Sequence, residues 1–334
     1  MVELGEPTEY WEDFLQYYQW ARHLQNRNLG HHHEDVPCPL MNTVPIYDTI
    51  DRRYAGFSKV LEHLHGRRKP ELAQRQGLNY RGDYSFDLTT WNYLHLVHRI
   101  TGSGASFEPD HGYRNTIVFE LADLGEIKDI STKLKEWDAG GTKKIFTSIG
   151  NQIPPFNKPG EGFTRGGFEY LSLDAPLLAR DYSHWLIDNY EDGNRIGIKQ
   201  AVDWVLNWQS SHGMKRYAFV LTAFCMDTAE YFPHLVDPKS HCYYGKNAFE
   251  TMDMLFKAKH GKSKHYDLVV EHICNLFGSI PYSVEDVLCD YIRWVENYVP
   301  KSYRHLEPEK LMNASKIQHH HKRFSHGWNP HAPR

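Results

Sequence analysis

Apolar positions recur at helical spacing over most of the chain. From Tyr10 to Leu24 (YWEDFLQYYQWARHL), the residues Trp11, Phe14, Leu15, Tyr18 and Ala21 fall on one stripe, the pattern of a helix with one face in a core. The same spacing predicts helices over Asp51–Leu64, Phe86–Arg99, Asn115–Leu124, Ile127–Trp137, Leu177–Tyr190 and Ile198–Trp208. Further helices are expected from Gly245 to about Phe256 and from Tyr266 to Phe277, and Ser283 with Asp286 reads as a capping box for Val284–Val299. Arg216 to Tyr231 differs, because apolar side chains surround nearly the whole circumference and so predict a helix buried in the core. It nevertheless carries Asp227 and Glu230, and a buried carboxylate costs several kcal/mol, of order 2–7, unless it is paired or faces a wet cleft. Only Lys144 to Gln152 reads as a short strand or extended piece. The expected fold is mostly α, with few or no strands.

Punctuation divides this pattern into three parts. Residues 1–84 form an N-terminal helical segment with a basic cluster at Arg52, Arg53, Lys59, Arg67, Arg68 and Lys69, suited to phosphate contact or to a solvated helix face. Residues 85–300 hold the helical core, interrupted at 154–168 (PPFNKPGEGFTRGGF) by a glycine–proline stretch of the kind used for lids and substrate channels. Residues 301–334 are a basic, histidine-rich tail with no acid after Lys310.

At 334 residues the chain can bury a large core in one domain or two. Its net charge of −4 excludes a global nucleic-acid signature, so any such contact must be a local patch. The aromatic content of 14% suits a folded core and a base-stacking pocket rather than disorder. The five cysteines (Cys38, Cys225, Cys242, Cys274, Cys289) lack C-x-x-C spacing, which argues against zinc fingers and a disulfide framework. His31-His32-His33 lies in a polar loop, where consecutive side chains cannot converge on one ion, so no metal is expected. An apolar leader and a run of eighteen apolar residues are both missing, which predicts a soluble cytoplasmic protein with no membrane partner.

Four stretches carry candidate chemistry. The first is the turn Ser210-Ser211-His212-Gly213, followed by Lys215, the buried helix and Val236-Asp237-Pro238. The second is the loop Ile100 to Phe107, where Gly102, Ser103 and Gly104 give backbone N–H groups able to surround an anion. Arg99 precedes that loop, and Glu108, Asp110, His111 and Arg114 follow it, so acid, imidazole and guanidinium bracket the same place. The third is Asn151-Gln152, two amides of the kind that read base edges or simply fill a turn. The fourth is Tyr243-Tyr244-Gly245-Lys246-Asn247, where a glycine and a lysine at a helix start can hold a phosphate.

A hairpin glycine, a lysine two residues on, a buried helix and then Val-Asp is the layout of the helix-hairpin-helix DNA glycosylases, although Ser211 stands where the second hairpin glycine usually falls. More specifically, the blocks HRITGSGASFE, Phe146 to Gln152, GMKRYAFVLTAFCMDTAEY, VDPKSHCYYGKNA and VEDVLCDYIRW resemble the phage DNA-hypermodification enzymes. These are the amino acid:DNA transferases and alpha-glutamyl/putrescinyl thymine pyrophosphorylases, with a helical, glycosylase-like fold. Family members often continue the last block with Lys-Tyr-x-Arg, where this chain has Ile-Arg-Trp-Val-Glu.

The resemblance implies an enzyme of an infected host's cytoplasm that needs no cofactor. It would act on DNA carrying a pyrophosphorylated hydroxymethyl-pyrimidine, with a small amine or amino acid as donor. Asp237 or Asp227 would serve as base, with His111 and Lys215 as further catalytic groups. Arg99, Arg114, Lys246 and the backbone from Gly102 would hold pyrophosphate. Asn151, Gln152, Tyr243, Tyr244 and Asn247 would read and stack the base, and Gly213 would grip the DNA backbone. Two other readings of the same residues are a base-excision glycosylase using Lys215 and Asp237, and a non-catalytic DNA- or protein-binding module whose acids are structural.

Overall fold

The computed structural model describes residues 4–28, 30, 31, 33–37, 42, 50, 61, 88–101, 117–140, 156, 157, 164, 165, 169–214 and 218–295. Among these the protein is mostly helical: α1 (Tyr10–Asn28), α2 (Leu88–Thr101), α3 (Ile117–Ala122), α4 (Ile127–Gly140), α5 (Ala175–Glu191), α6 (Ile198–Ser211), α7 (Ala218–Tyr231), α8 (Lys246–Leu255), α9 (Lys262–Phe277) and α10 (Pro281–Arg293). Among the described residues, strand structure is limited to four two-residue pieces. β1 (Phe156–Asn157) pairs antiparallel with β2 (Thr164–Arg165) inside the glycine–proline stretch, and β3 (Ile196–Gly197) pairs parallel with β4 (Val236–Asp237). Of the expected helix over 51–64 only Leu61 is described, and it is helical; of the loop expected over Ile100 to Phe107 only Ile100 and Thr101 are described, and they continue the helix α2 instead. The extended piece over 144–152 and the tail from 301 lie outside the described residues.

The chain forms two units, and their limits differ from the boundaries expected at 84/85 and 300/301. One is continuous, residues 57–242; the other is split, built from 1–56 and 243–334. The physical reason is the stripe on α1. Phe14, Tyr17, Tyr18 and Leu24 are fully buried in one apolar cluster with Met252, Val269, Val270, Ile273, Leu288 and Trp294 of α8 to α10 and the turn that follows. Phe14 and Tyr17 meet the ring of Tyr291 edge-on at 5.1 and 5.3 Å, Tyr18 stacks on Phe277 at 3.7 Å, and the Tyr291 hydroxyl donates to Asp13 at 2.6 Å. Each such aromatic side chain contributes roughly 1.5–3 kcal/mol by burial, which is ample to draw an amphipathic helix onto a distant part of the chain.

The continuous unit is organised on α2, of which only Thr89 escapes burial. Its apolar residues surround the helix, and its polar ones need internal partners. The Asn92 amide donates to Ser183 Oγ of α5 at 2.8 Å, and the Tyr93 hydroxyl donates to the Leu171 carbonyl at 2.6 Å. Leu171 belongs to a π-helical turn, Tyr170–Asp174, that runs directly into α5. Helices α6 and α7 pack against each other in the same unit, and α6 ends in the Ser210–Met214 turn.

The last helix begins earlier than the expected capping box. Pro281 takes its first turn after Ile280, and Ser283 is buried inside the helix rather than capping it. Proline has no N–H to orphan and its φ is already helical, so it is the stronger start signal of the two.

Candidate functional site

The turn after α6 is a helix stop built around Gly213. The Gly213 N–H donates to the Ser210 carbonyl at 3.1 Å and the Met214 N–H to the Gln209 carbonyl at 2.9 Å, while Gly213 takes φ +70°. These are the two bonds of a Schellman ending, completed by the buried Met214 side chain. His212 stacks on Trp208 at 3.9 Å, and the Trp208 indole N–H donates to Asp181 at 2.9 Å. The amides of Gly213 and Met214 are therefore occupied within the turn and do not present themselves to a phosphate. Lys215 lies outside the described residues.

Across the α6–α7 pair, the parallel pairing of β3 with β4 sets Gly197 opposite Asp237. Gly197 is the N-cap of α6 and has no side chain to satisfy the first amides. Gln200 Oε1 accepts the Gly197 N–H at 2.8 Å, and Ser240 Oγ, arriving from the turn after β4, accepts the Ile198 N–H at 2.8 Å. The Ser240 hydroxyl in turn donates to the Asp237 carbonyl at 2.6 Å. Asp237 thus sits in a turn pinned to a helix end. Its Oδ1 accepts the Lys239 N–H at 3.0 Å and an Arg195 Nη2–H at 3.1 Å, whereas Oδ2 makes no hydrogen bond to a described residue. The Asp237 side chain is 24% exposed and that of Arg195 is 64% exposed, so the pair faces solvent rather than closing a core ion pair.

Arg99 and Asp227 occupy the opposite extreme. Arg99 Nε and Nη2 donate to the two oxygens of Asp227, each at 2.5 Å, with the carboxylate fully buried. Arg99 was expected to hold pyrophosphate and Asp227 to act as a base. Instead each is the other's partner, because neither charge can be held in the core alone. His95, one turn before Arg99 and fully buried, has its pKa pushed down to about 4 by desolvation; the Asp227 charge opposes that shift and the Arg99 charge reinforces it.

In the split unit, the start of α8 is likewise filled from within. The Gly245 N–H, at the N-cap, donates to Glu285 Oε1 of α10 at 2.9 Å, and the Cys289 thiol donates to the same oxygen at 3.2 Å. The place expected for a phosphate holds the chain's own carboxylate. Burial, then Glu285, Asp286 and Asp290, push the Cys289 thiol well up and keep it protonated. Lys246 points away into solvent beside Glu250 at 3.4 Å. The Tyr244 hydroxyl donates to Asp267 at 3.1 Å, Tyr243 is an exposed ring, and Asn247 lies in the first turn of α8.

Gly102, Ser103, Gly104, His111, Arg114, Asn151 and Gln152 all lie outside the described residues. Of the expected set the structure brings together Arg99 with Asp227. Arg195 and Glu285 were not singled out. Arg195 follows the Asp192-Gly193-Asn194 turn, where no periodicity marks it, and Glu285 lies on α10 without a spacing that reveals its partner. Among the described residues, no cluster of histidine, cysteine and acid could hold a metal, and no helix is long and apolar enough to cross a membrane. No family model matches the chain, nor does any curated protein or solved structure.

Proposed function

We propose that the chain is a DNA base-hypermodification transferase. It places an amine or amino acid on a pyrophosphorylated hydroxymethyl-pyrimidine in DNA and releases pyrophosphate. The sequence blocks that resemble the phage transferases supply the reaction, and a single structural observation carries the choice of residue. Asp237 is the acid of the Val-Asp-Pro block, fixed by its turn, with Oδ1 held, Oδ2 making no hydrogen bond to a described residue, and the side chain partly exposed.

The chemistry needs a carboxylate in that condition. An ammonium donor must lose a proton before its nitrogen can attack, and a positioned base contributes about 10²- to 10⁴-fold. Asp227 does not compete for this role, since both its oxygens are bound to Arg99. The departing pyrophosphate needs N–H or cationic donors; Arg114 and the backbone from Gly102 to Gly104 are the proposed ones. The target base must also leave the stack, at a cost of a few kcal/mol, about 2–4, because a duplex hides its methylene from a protein pocket.

The test is nucleoside mass spectrometry. DNA bearing 5-(pyrophosphoryloxymethyl)uracil is incubated with the full chain and a mixture of amines and amino acids. A new amino-substituted nucleoside is expected, falling by about 10²-fold or more for Asp237→Asn. No new nucleoside with the wild type, or full activity in Asp237→Asn, rejects the reading. Abasic sites in place of the product would point to the glycosylase. Salt-dependent binding without any base product would point to a non-catalytic DNA-binding module; the amides of Gly213 and Gly245, both occupied within the chain, add nothing to such binding.

A further inference from the structure

We infer that the start of α9 and the segment leading into it, Lys257 to Lys264, form a surface for the phosphodiester backbone of a nucleic acid. That this nucleic acid is DNA rests on the transferase reading; the phosphate contact itself does not. Lys257, Lys259, Lys262 and Lys264 fall within eight residues, and no acid interrupts the run between Asp253 and Asp267. All four lysines are exposed, with His260 half-buried among them. The whole chain holds 38 Lys and Arg in 334 residues at a net charge of −4, so this is a local concentration of cations on an acidic background. Lys262 and Lys264 make no ion pair among the described residues. Lys257 meets Glu6 at 3.3 Å with both side chains in solvent, a contact too exposed to hold it.

The fold does not account for these lysines. A helix start carries the positive end of the helix dipole, about half a unit charge, and favours acids in its first turn. The first turn of α9 has no acid and holds Lys262 and Lys264 instead. Its N-cap, Gly261, has no side chain to accept from the first amides, and His265 is the first residue whose N–H finds a carbonyl, that of Gly261 at 3.1 Å. The starts of α6 and α8 are satisfied from within, by Gln200, Ser240 and Glu285. At α9 the amides of Lys262, Ser263 and Lys264 are left for an outside acceptor beside two repelled cations. A phosphate group completes that arrangement, accepting from the N–H groups and neutralising the lysines. One residue further, His265 is 1% exposed, and its Nε2 makes no hydrogen bond. In protonated form that nitrogen donates to a bound phosphate; burial and His260 oppose the proton, and Asp253 of α8 favours it.

A membrane surface fits the segment less well. Basic segments that enter a headgroup layer carry large apolar side chains opposite their lysines. Here Ala258 is the only apolar side chain from Lys257 to Lys264, and the flanking Phe256 and Tyr266 are buried in the core. Phosphodiester contacts need no such wedge, only cations and N–H donors placed along a backbone.

The experiment measures binding of the full chain to a fluorescein-labelled, unmodified DNA duplex by anisotropy across a salt series, with no amine present. Lys262→Gln/Lys264→Gln should weaken binding by about 10- to 100-fold at about 0.1 M salt. It should also make the plot of log affinity against log salt less steep by about 1.8, the share of two phosphate contacts. The loss should be the same for unrelated duplexes, because phosphates carry no sequence. The double variant should unfold at the wild-type temperature or above, since it removes cations from the positive end of a helix. A control, Lys133→Gln/Lys135→Gln, removes the same charge from α4 and should leave affinity and slope unchanged. An unchanged slope in the Lys262→Gln/Lys264→Gln protein, an equal loss in the control, or no DNA binding by the wild type overturns the surface. So does tighter binding to phosphatidylserine vesicles than to DNA at the same salt. None of these results depends on a transferred amine, so the nucleoside assay decides the transferase reading separately.

Discussion

Arg99 of α2 and Asp227 of α7 close a two-armed ion pair inside the continuous unit, with both arms at 2.5 Å and the carboxylate sealed from solvent. A pair of this kind ties two helices together without necessarily adding net stability, because both charges lose their hydration. Its effect appears when it is broken.

Removing one partner leaves the other's charge buried without its two-armed counter-ion. Arg99→Met and Asp227→Leu should each destabilise the protein by about 3–5 kcal/mol, and the double substitution should cost much less than the sum of the two. Urea unfolding of the four proteins measures this. Additive losses would mean that the two groups do not depend on each other.

His95 gives the same core a pH dependence. Its folded pKa of about 4 lies below the ordinary histidine value of 6.5, so between those two values the unfolded chain binds a proton that the folded one refuses. Stability is complete above pH 6.5 and falls as the pH drops toward 4, by a total of about 3 kcal/mol at 1.36 kcal/mol per pH unit. His95→Gln should flatten the urea midpoint between pH 4.5 and 7.5 relative to wild type. An unchanged slope would assign the acid sensitivity to other groups.

Gly213 is expected to act on stability rather than on DNA affinity. At φ +70° an alanine meets its own carbonyl, so Gly213→Ala should cost about 1–2 kcal/mol and Gly213→Asn less. Thermal unfolding of both variants checks the order. A Gly213→Ala protein of native stability that binds DNA more weakly would return the glycine to the phosphate-holding role expected of a DNA-binding hairpin.

Three of the thiols, Cys225, Cys274 and Cys289, should resist alkylation in the folded protein. Burial pushes Cys225 well up, and it pushes Cys274 up to about 12 with help from the Glu271 charge. Cys289 is raised in the same direction, and the thiolate is the reactive form. A short iodoacetamide pulse at pH 8 should leave all three largely unlabelled, and the same pulse in urea should label them. Rapid native labelling of Cys289 would show that its bond to Glu285 opens readily.

The helices were legible because side-chain periodicity is a local property. The α1 stripe and the all-round apolar character of α7 both appear in the sequence, and the expected starts and ends of several helices fall within a few residues of the observed ones. Partners were not legible. Arg99 stands beside a small-residue loop and reads as an anion-binding group, and nothing in its spacing reveals that Asp227, 128 positions later, neutralises it. Glu285 and the Gly245 amide are separated by 40 residues, and only the fold brings them together. Gly213 had a signal that could have been read otherwise: a glycine directly after a periodic apolar helix is first of all a helix stop. On α10 the start lies at Pro281 rather than at Ser283, because a proline in the first turn outweighs a serine as a starting residue.

Because the continuous unit is interposed between the two segments of the split one, the order of synthesis matters. Trp11 and Phe14 leave the ribosome long before Tyr291 and Trp294, and until then they have no native cluster to enter. Residues 57–242 can close their own contacts in the meantime. Nascent chains halted before α9 should therefore carry an exposed aromatic helix, the species on which a chaperone would act.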